Sequence, residues 1–380
     1  MTESRSRTAT FSELVGENLL EIGAGRPRSV SSNLPILRVA DVLDGKIGPS
    51  PQNYAPGNHP PATASKVSKP GDVVLTIKGT VGRVAIMPAD GPIFAYSPQL
   101  YYFRPAMNGP LRPRYLYYWF KSAEFWTQAN SLKSQTDMAD FLSLSDVQSL
   151  SIRIPPIKQQ AGIVDLLGAL DDKIAVNERI AATAMVLGRM KFLEAYFAAE
   201  QEITVGDVIE LKYGRALPAA RRVPGDILVY GSGGPSGFHN DPLVKGPGII
   251  VGRKGTVGSV YWSEGDFFPI DTTFYVACKS DSISLEYAYF GLRELGLEQM
   301  NSDSAVPGLN RERAHALVLR IPAPDAMRRF TADARSSFEL QHIRESESRT
   351  LAALRDTLLP QLMSGRLRVK DAEMIVEDAL

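Results

Sequence analysis

The sequence predicts an α+β protein in which two pseudo-symmetric globular domains are separated by two long antiparallel coiled-coil-like helices. Three observations carry this expectation. A pentapeptide recurs in collinear order with other matches, short runs of β-formers cluster between turn residues in two regions, and a long amphipathic stretch follows each region.

The duplication is the first element to justify. Lys78-Gly79-Thr80-Val81-Gly82 returns as Lys254-Gly255-Thr256-Val257-Gly258, 176 residues later, and apolar runs precede both copies, Val73-Val74-Leu75 and Ile249-Ile250-Val251. Tyr115–Tyr118 matches Tyr287–Phe290 at an offset of 172, and Arg153-Ile154-Pro155 matches Arg320-Ile321-Pro322 at 167. An offset that falls steadily is what a collinear duplication leaves when the second copy has lost a few residues.

Each copy opens with a region rich in Gly, Pro and β-formers. Asp72–Ile77 and Ile152–Ile154 read as strands in the first, and Gly248–Val251 and Thr273–Val276 in the second. The first globule is placed at residues 1–155 and the second at 201–319. Pro155-Pro156 ends the last strand of the first copy, and residues 157–199 then hold no proline and only three glycines. Ile163, Leu167, Leu170 and Ile174 recur at three- and four-residue steps, and Asn177, Ala181 and Ala184 continue the seam. A helix of that length would span about 65 Å. An asparagine inside an apolar seam fixes register at a cost in stability. In the second copy Phe330, Ala334 and Phe338 open the stripe and Leu351, Leu354 and Leu358 close it, around a polar middle. The spacer helices are placed at 156–200 and 320–369, with a tail at 370–380. If the helices pair antiparallel, a two-fold arrangement follows that suits duplex DNA with two separated half-sites.

Composition narrows the class. The chain has 380 residues, 44% of them hydrophobic, enough for two or three domains. No apolar run approaches the roughly 20 residues of a membrane span. The N-terminus lacks a signal-peptide pattern, so a cytoplasmic location is expected. A single cysteine, Cys278, excludes an internal disulfide, and the four histidines leave little for a metal centre. Net charge is zero; residues 1–155 carry 16 basic against 12 acidic groups, and residues 201–319 carry 11 against 14. Any nucleic-acid contact must therefore come from local patches.

Two motifs suggest enzymes and fail on inspection. Leu20-Glu21-Ile22-Gly23-Ala24-Gly25 imitates the turn of an S-adenosylmethionine-dependent methyltransferase, but that turn should lead into a helix, and Arg26-Pro27-Arg28 follows. A loop at a domain boundary is expected instead, and the Asn-Pro-Pro-aromatic motif is absent. Glu210-Leu211-Lys212 is half of a nuclease motif without its upstream aspartate. The repeated Lys-Gly-Thr-Val-Gly stretch is open to two readings, a turn required by the fold or a phosphate-facing turn. Tyr230–Gly237 with Phe238-His239-Asn240 reads as a flexible polar loop, from which Ser232, Ser236, His239 or Asn240 could reach base edges. Lys212, Arg215, Arg221 and Arg222 are the basic cluster of the second globule, with Tyr213, Arg253, Lys254 and Thr256 as further candidates. In the first globule Arg26, Arg28, Lys78 and Arg83 suit phosphates, Thr80 is a further candidate, and Ser134, Gln135 and Thr136 could read bases. The run Tyr115–Phe120 is expected as a helix packed on the sheet.

The arrangement resembles the specificity subunits of type I restriction–modification systems over almost the whole chain. The helix opening Ile154–Ile163 is similar to the family's Ile-Pro-x-Pro-Pro, Glu-Gln, Ile signature, with one residue between the prolines missing and Gln159 where Glu is usual. The second opening, Arg320–Pro324, has Met327-Arg328 in place of Glu-Gln. Leu358–Val369 resembles the closing segment, and Leu211–Gly214, Tyr230–Gly234 and Pro269–Thr273 match in the second globule. The resemblance implies a non-catalytic subunit with two target-recognition domains, each reading half of a split DNA site, and helices that act as a ruler and dock two modification (methyltransferase) subunits. It implies adenine-N6 methylation with S-adenosylmethionine in those partners, and ATP- and Mg-dependent translocation and cleavage in restriction subunits, as in phage defence. No cofactor or metal is expected on this chain. Two alternatives stand beside it: a methyltransferase or fused enzyme, whose motifs are absent, and a non-DNA scaffold with two pseudo-symmetric adaptor domains.

Overall fold

A computed structural model describes residues 6–25, 34–48, 67–132, 134–136, 139–300 and 308–379. The chain divides into two compact units, Met1–Ile174 with Thr350–Leu380, and Ala175–Arg349.

The first unit runs β1 (Arg7–Thr10), α1 (Phe11–Gly16), β2 (Leu20–Ala24), β3 (Ile36–Leu37), β4 (Val42–Leu43), β5 (Lys46–Ile47), β6 (Val73–Thr76), β7 (Val84–Ile86), β8 (Ala95–Tyr96) and β9 (Leu100–Pro105). It continues through α2 (Pro113–Lys121), α3 (Ala123–Leu132), β10 (Ser134–Thr136), β11 (Ala139–Phe141), α4 (Leu144–Ser149) and β12 (Ser151–Ile154) into α5 (Ile157–Phe197). Its main sheet has the order β2-β9-β6-β7, all antiparallel. All four residues of β6 are buried, so this strand is covered on both faces, as its unbroken apolar run requires.

Helix α2 closes one face of that sheet. Pro113 stands at its first turn, where a missing N–H costs nothing, and Tyr115 to Phe120 are all buried. Phe120 lies 4.7 Å from Phe103 on β9 and 5.1 Å from Phe125 on α3, ring to ring. This satisfies the expectation of a helix packed on the sheet.

The second unit holds the rest of α5, then β13 (Gln201–Thr204), α6 (Val205–Val208), β14 (Ile209–Tyr213), β15 (Ile227–Gly231), β16 (Gly234–His239), β17 (Gly248–Gly252), β18 (Val260–Ser263), β19 (Phe267–Pro269) and β20 (Thr273–Cys278). After these come α7 (Leu285–Glu294), α8 (Arg311–His315), β21 (Val318–Ile321) and α9 (Pro324–Ser364), while α10 (Val369–Ala379) belongs to the first unit. Its main sheet, β14-β20-β17-β18, repeats the first. The flanking pair repeats too, Arg7 opposite Ile154 in β1–β12 and Gln201 opposite Ile321 in β13–β21. Tyr115 donates to the Arg153 carbonyl at 3.0 Å, and its counterpart Tyr287 donates to the Arg320 carbonyl at 2.7 Å.

Two expectations are corrected. Leu20–Ala24 is not a loop but edge strand β2, held by full pairing with β9. The Gly-rich stretch around Tyr230 is not a flexible loop but the hairpin β15–β16, with β19 added in parallel on its other side.

In each unit a segment of α5 packs antiparallel on a segment of α9. In the first, Ile163, Leu167 and Leu170 share a core with Leu351, Leu358 and Leu362, and Asp171 accepts a 2.7 Å bond from Arg355. The stretch expected as a tail is helix α10, whose Ala372 is buried in the same core. In the second, Phe192 lies 4.8 Å from Tyr287 and 6.2 Å from Phe330. Asn177 is fully buried there, with neither amide atom hydrogen-bonded. Among the described residues no helix is long and apolar enough to cross a membrane. Phe192→Ala removes a fully buried ring from the second core. It should cost about 3–5 kcal/mol of stability, read as a lower denaturant midpoint.

Candidate nucleic-acid interface

The repeated pentapeptide is the same turn twice. In the first unit Gly82 N–H donates to the Thr76 carbonyl, Val81 to Gly79, and Leu142 to Ile77. In the second, Gly258 donates to Gly252, Val257 to Gly255, and Leu309 to Arg253. The turns leave Lys78, Thr80, Lys254 and Thr256 exposed at equivalent positions, while Arg83 is half-buried. Glycines at both ends hold φ between +76° and +96°, a region closed to most side chains. Gly82 also lies under Trp126, where a Cβ would come within 2.1 Å of the indole, while the space at Gly79 is open.

The strand that feeds this region is also matched. Gly25 donates to the Leu100 carbonyl and Gly214 to the Thr273 carbonyl. A Cβ at either would collide with backbone, 2.1 Å from the Tyr96 oxygen in one case and 2.2 Å from the Ile270 oxygen in the other. This close approach accounts for both glycines.

In the second unit the candidates separate. Lys212 and Tyr213 are neighbours in β14, so their side chains leave opposite faces of the sheet. Tyr213 lies 5.0 Å from Phe274 and carries two guanidiniums, Arg253 at 5.1 Å and Arg311 at 5.4 Å. Arg311 was not legible as a candidate, because nothing local ties it to a tyrosine 98 residues away in the sequence. Arg215 and Arg221 are exposed, but Arg222 donates to the Ser236 carbonyl at 2.6 Å and braces the hairpin. Ser236 donates to the Val229 carbonyl, and His239 is buried with its Nδ1 accepting the Val223 N–H at 3.1 Å. That ring is committed to the fold, whereas Asn240 beside it is exposed. The Ser232 carbonyl accepts from Ser259 Oγ at 2.6 Å, which ties the hairpin tip to the Lys254–Gly258 turn. His315 Nε2 accepts the Leu211 N–H, and burial pushes its imidazole below the ordinary range, favouring the neutral acceptor form.

In the first unit Arg26 and Arg28 lie outside the described residues. Ser134, Gln135 and Thr136 form β10 in a hairpin with β11; their side chains lie outside the description. Sequence reading missed a polar network here. The fully buried Asp72 accepts from Arg104 Nε at 2.7 Å and Tyr96 at 2.8 Å, and Glu21 accepts from Arg104 and Tyr102. Burial disfavours the Arg104 charge, yet the Asp72 and Glu21 carboxylates hold its pKa above the usual value. The Glu21 of the methyltransferase-like motif is thus an ion-pair partner inside a strand.

The geometry defines a duplicated α+β unit with an exposed cationic turn in each copy, and comparison with known proteins gives the family. The family profile described as the type I restriction modification DNA specificity domain matches residues 61–184 and again 200–326. The chain belongs to this family. No curated protein matches its sequence. Among solved structures, it is similar to the S subunit of a type I restriction-modification system from M. genitalium, at 18% identity and a TM-score of 0.60 over 94% of this chain and 96% of that one. A chain from a structure addressing complex assembly and conformational transition of the type I R-M system matches at 16% identity and TM-score 0.47, covering 97% and 100%. The HsdS subunit from Thermoanaerobacter tengcongensis matches at 17% and 0.39, covering 95% and 97%.

The two turn glycines should respond differently to substitution. Gly79→Ala should cost about 1–2 kcal/mol for its backbone conformation alone. Gly82→Ala should cost distinctly more, because Trp126 must also move. Thermal unfolding of the two variants side by side measures the difference.

Proposed function

We propose that this chain is the cytoplasmic, non-catalytic, DNA-reading subunit of a type I restriction–modification complex. Each unit reads one half of a bipartite site in double-stranded DNA, and α5 with α9 sets the spacer between the halves. Two modification (methyltransferase) subunits and the restriction subunits are its partners; S-adenosylmethionine, ATP and Mg belong to them and none to this chain. The observation that carries the reading is the doubled turn. The same exposed lysine and threonine stand on the same hydrogen-bonded backbone in both copies, within both segments matched by the specificity-domain profile. An ammonium and a hydroxyl on a glycine turn suit a phosphate, which positions a protein on DNA without reading it. Docking of the modification subunits is supported by exposed apolar residues on α5, with Val186, Leu187, Met190 and Phe197 each more than half exposed.

The test is modular exchange. Replacing residues 201–319 with the corresponding unit of a relative, followed by methylome sequencing of cells carrying the whole complex, should change one half of the methylated site and leave the other intact. A change in both halves would sink the assignment of one unit to one half-site.

The spacer makes a separate expectation. Inserting four residues after Lys173 lengthens α5 by about 6 Å, near the rise of two base pairs at about 3.4 Å each. The non-specific spacer should then grow by one or two pairs with both half-site sequences unchanged. Full activity on an unchanged spacer would remove the helices as the ruler.

A further inference from the structure

The two units share a backbone but part company at three equivalent positions. Matching hydrogen bonds make Ala24 the counterpart of Tyr213, Ile77 of Arg253, and Leu144 of Arg311. Leu144 and Arg311 each follow a side chain that caps a short helix, Ser143 and Asn310. In the first unit Ile77 is buried, and Ala24 and Leu144 pack against the same core. In the second unit the same place opens. Tyr213 is 52% exposed, two guanidiniums lie over its ring, and the Phe274 ring is 5.0 Å away.

We infer that the Tyr213–Arg253–Arg311 cluster is a base-reading element of the second unit, and that its guanidiniums recognise the edge of a guanine in that unit's half-site. The inference rests on the proposed DNA-reading function. A phosphate contact carries no sequence information and could serve both halves alike, as the shared Lys78 and Lys254 turns would. A cluster present in one copy and replaced by packing residues in the other belongs with what differs between the halves. The chemistry agrees. Guanine offers two acceptors in the major groove, O6 and N7, which match the forked donors of arginine. The planes are also fixed in advance: Arg253 stacks on Tyr213 and on Phe274 at 5.9 Å, and its Nη2 donates to the Asp271 carbonyl at 2.7 Å. Arg311 lies over the same Tyr213 ring at 5.4 Å and pairs with Glu312 at 3.2 Å. Glu312 is 77% exposed, so this pair is weak and a base can displace it.

The experiment is methylome sequencing of cells that carry the complete complex with wild-type chain, Arg253→Gln, Arg311→Gln, or the lysine counterparts of both. The half read by the second unit is identified with the exchanged-unit chain. Glutamine prefers adenine, whereas lysine keeps the affinity for O6 and N7. At least one glutamine variant should lose preference for guanine at one position, on the order of ten- to a hundredfold. The rest of that half and all of the other half should be unchanged, and the lysine variants should retain guanine. Even weakening across all sites would make these residues phosphate contacts and overturn the inference, as would an unaltered motif, a second half without guanine, or loss of methylation by the lysine variants too. A wild-type complex that leaves no bipartite mark defeats the DNA-reading function itself and the inference with it. A wild-type bipartite mark with unaltered glutamine variants defeats the inference alone.

Discussion

The doubled turn depends on one constraint, the complete burial of strands β6 and β17. Neither strand exposes a side chain on either face, so each must end abruptly where the chain leaves the core. The tight glycine turn is the solution in both units, with identical backbone hydrogen bonds. The side chains nearby are placed by that exit: the exposed lysine and threonine of the turn, and in the second unit the half-buried arginine just before it. A binding residue mounted on a fully packed strand inherits the rigidity of the core, which lowers the entropy lost on meeting a ligand.

What was legible in the sequence follows from how local each signal is. The duplication, the aromatic helix α2 and the apolar seam of α5 could be read because their information lies in contiguous residues or a fixed period. The strands β2 and β16 could not. Leu20–Ala24 ends in glycine and alanine, and Gly234–His239 opens with glycine and proline, so neither carries a run of β-forming residues long enough to announce a strand. Partners decide them, β9 for one and β15 for the other. The same reason hides the long-range side-chain pairs near the candidate site. Arg311 and Tyr213 meet only after folding, as do Asp72 and Arg104. The basic cluster read around Arg221 and Arg222 shows the converse, since adjacency in sequence said nothing of the bond from Arg222 to the Ser236 carbonyl.

Duplication also explains how the chain can be nearly neutral and still fit a DNA-reading family. Scaffold residues are shared between copies and satisfy the backbone, so they are free of charge requirements. Charge concentrated at a few exposed positions is then enough to define a surface. The Arg104–Asp72 pair illustrates the other use of charge, buried and compensated, where it holds β6, β9 and β2 together rather than facing a ligand.

The make-up of the first unit has a consequence for biosynthesis. Its leading segment ends at Ile174, but Leu351, Leu358, Leu362 and Met363, which cover Ile163, Leu167 and Leu170, come from residues made only after the whole second unit. At ribosomal speeds of about 5–20 residues per second, that apolar stripe stays uncovered for on the order of ten seconds or more. During this interval the nascent chain presents a hydrophobic helix face to the cell. The first unit to emerge is therefore the last to be completed, and a message truncated before the codon for Leu351 would yield a polypeptide with that apolar stripe left uncovered.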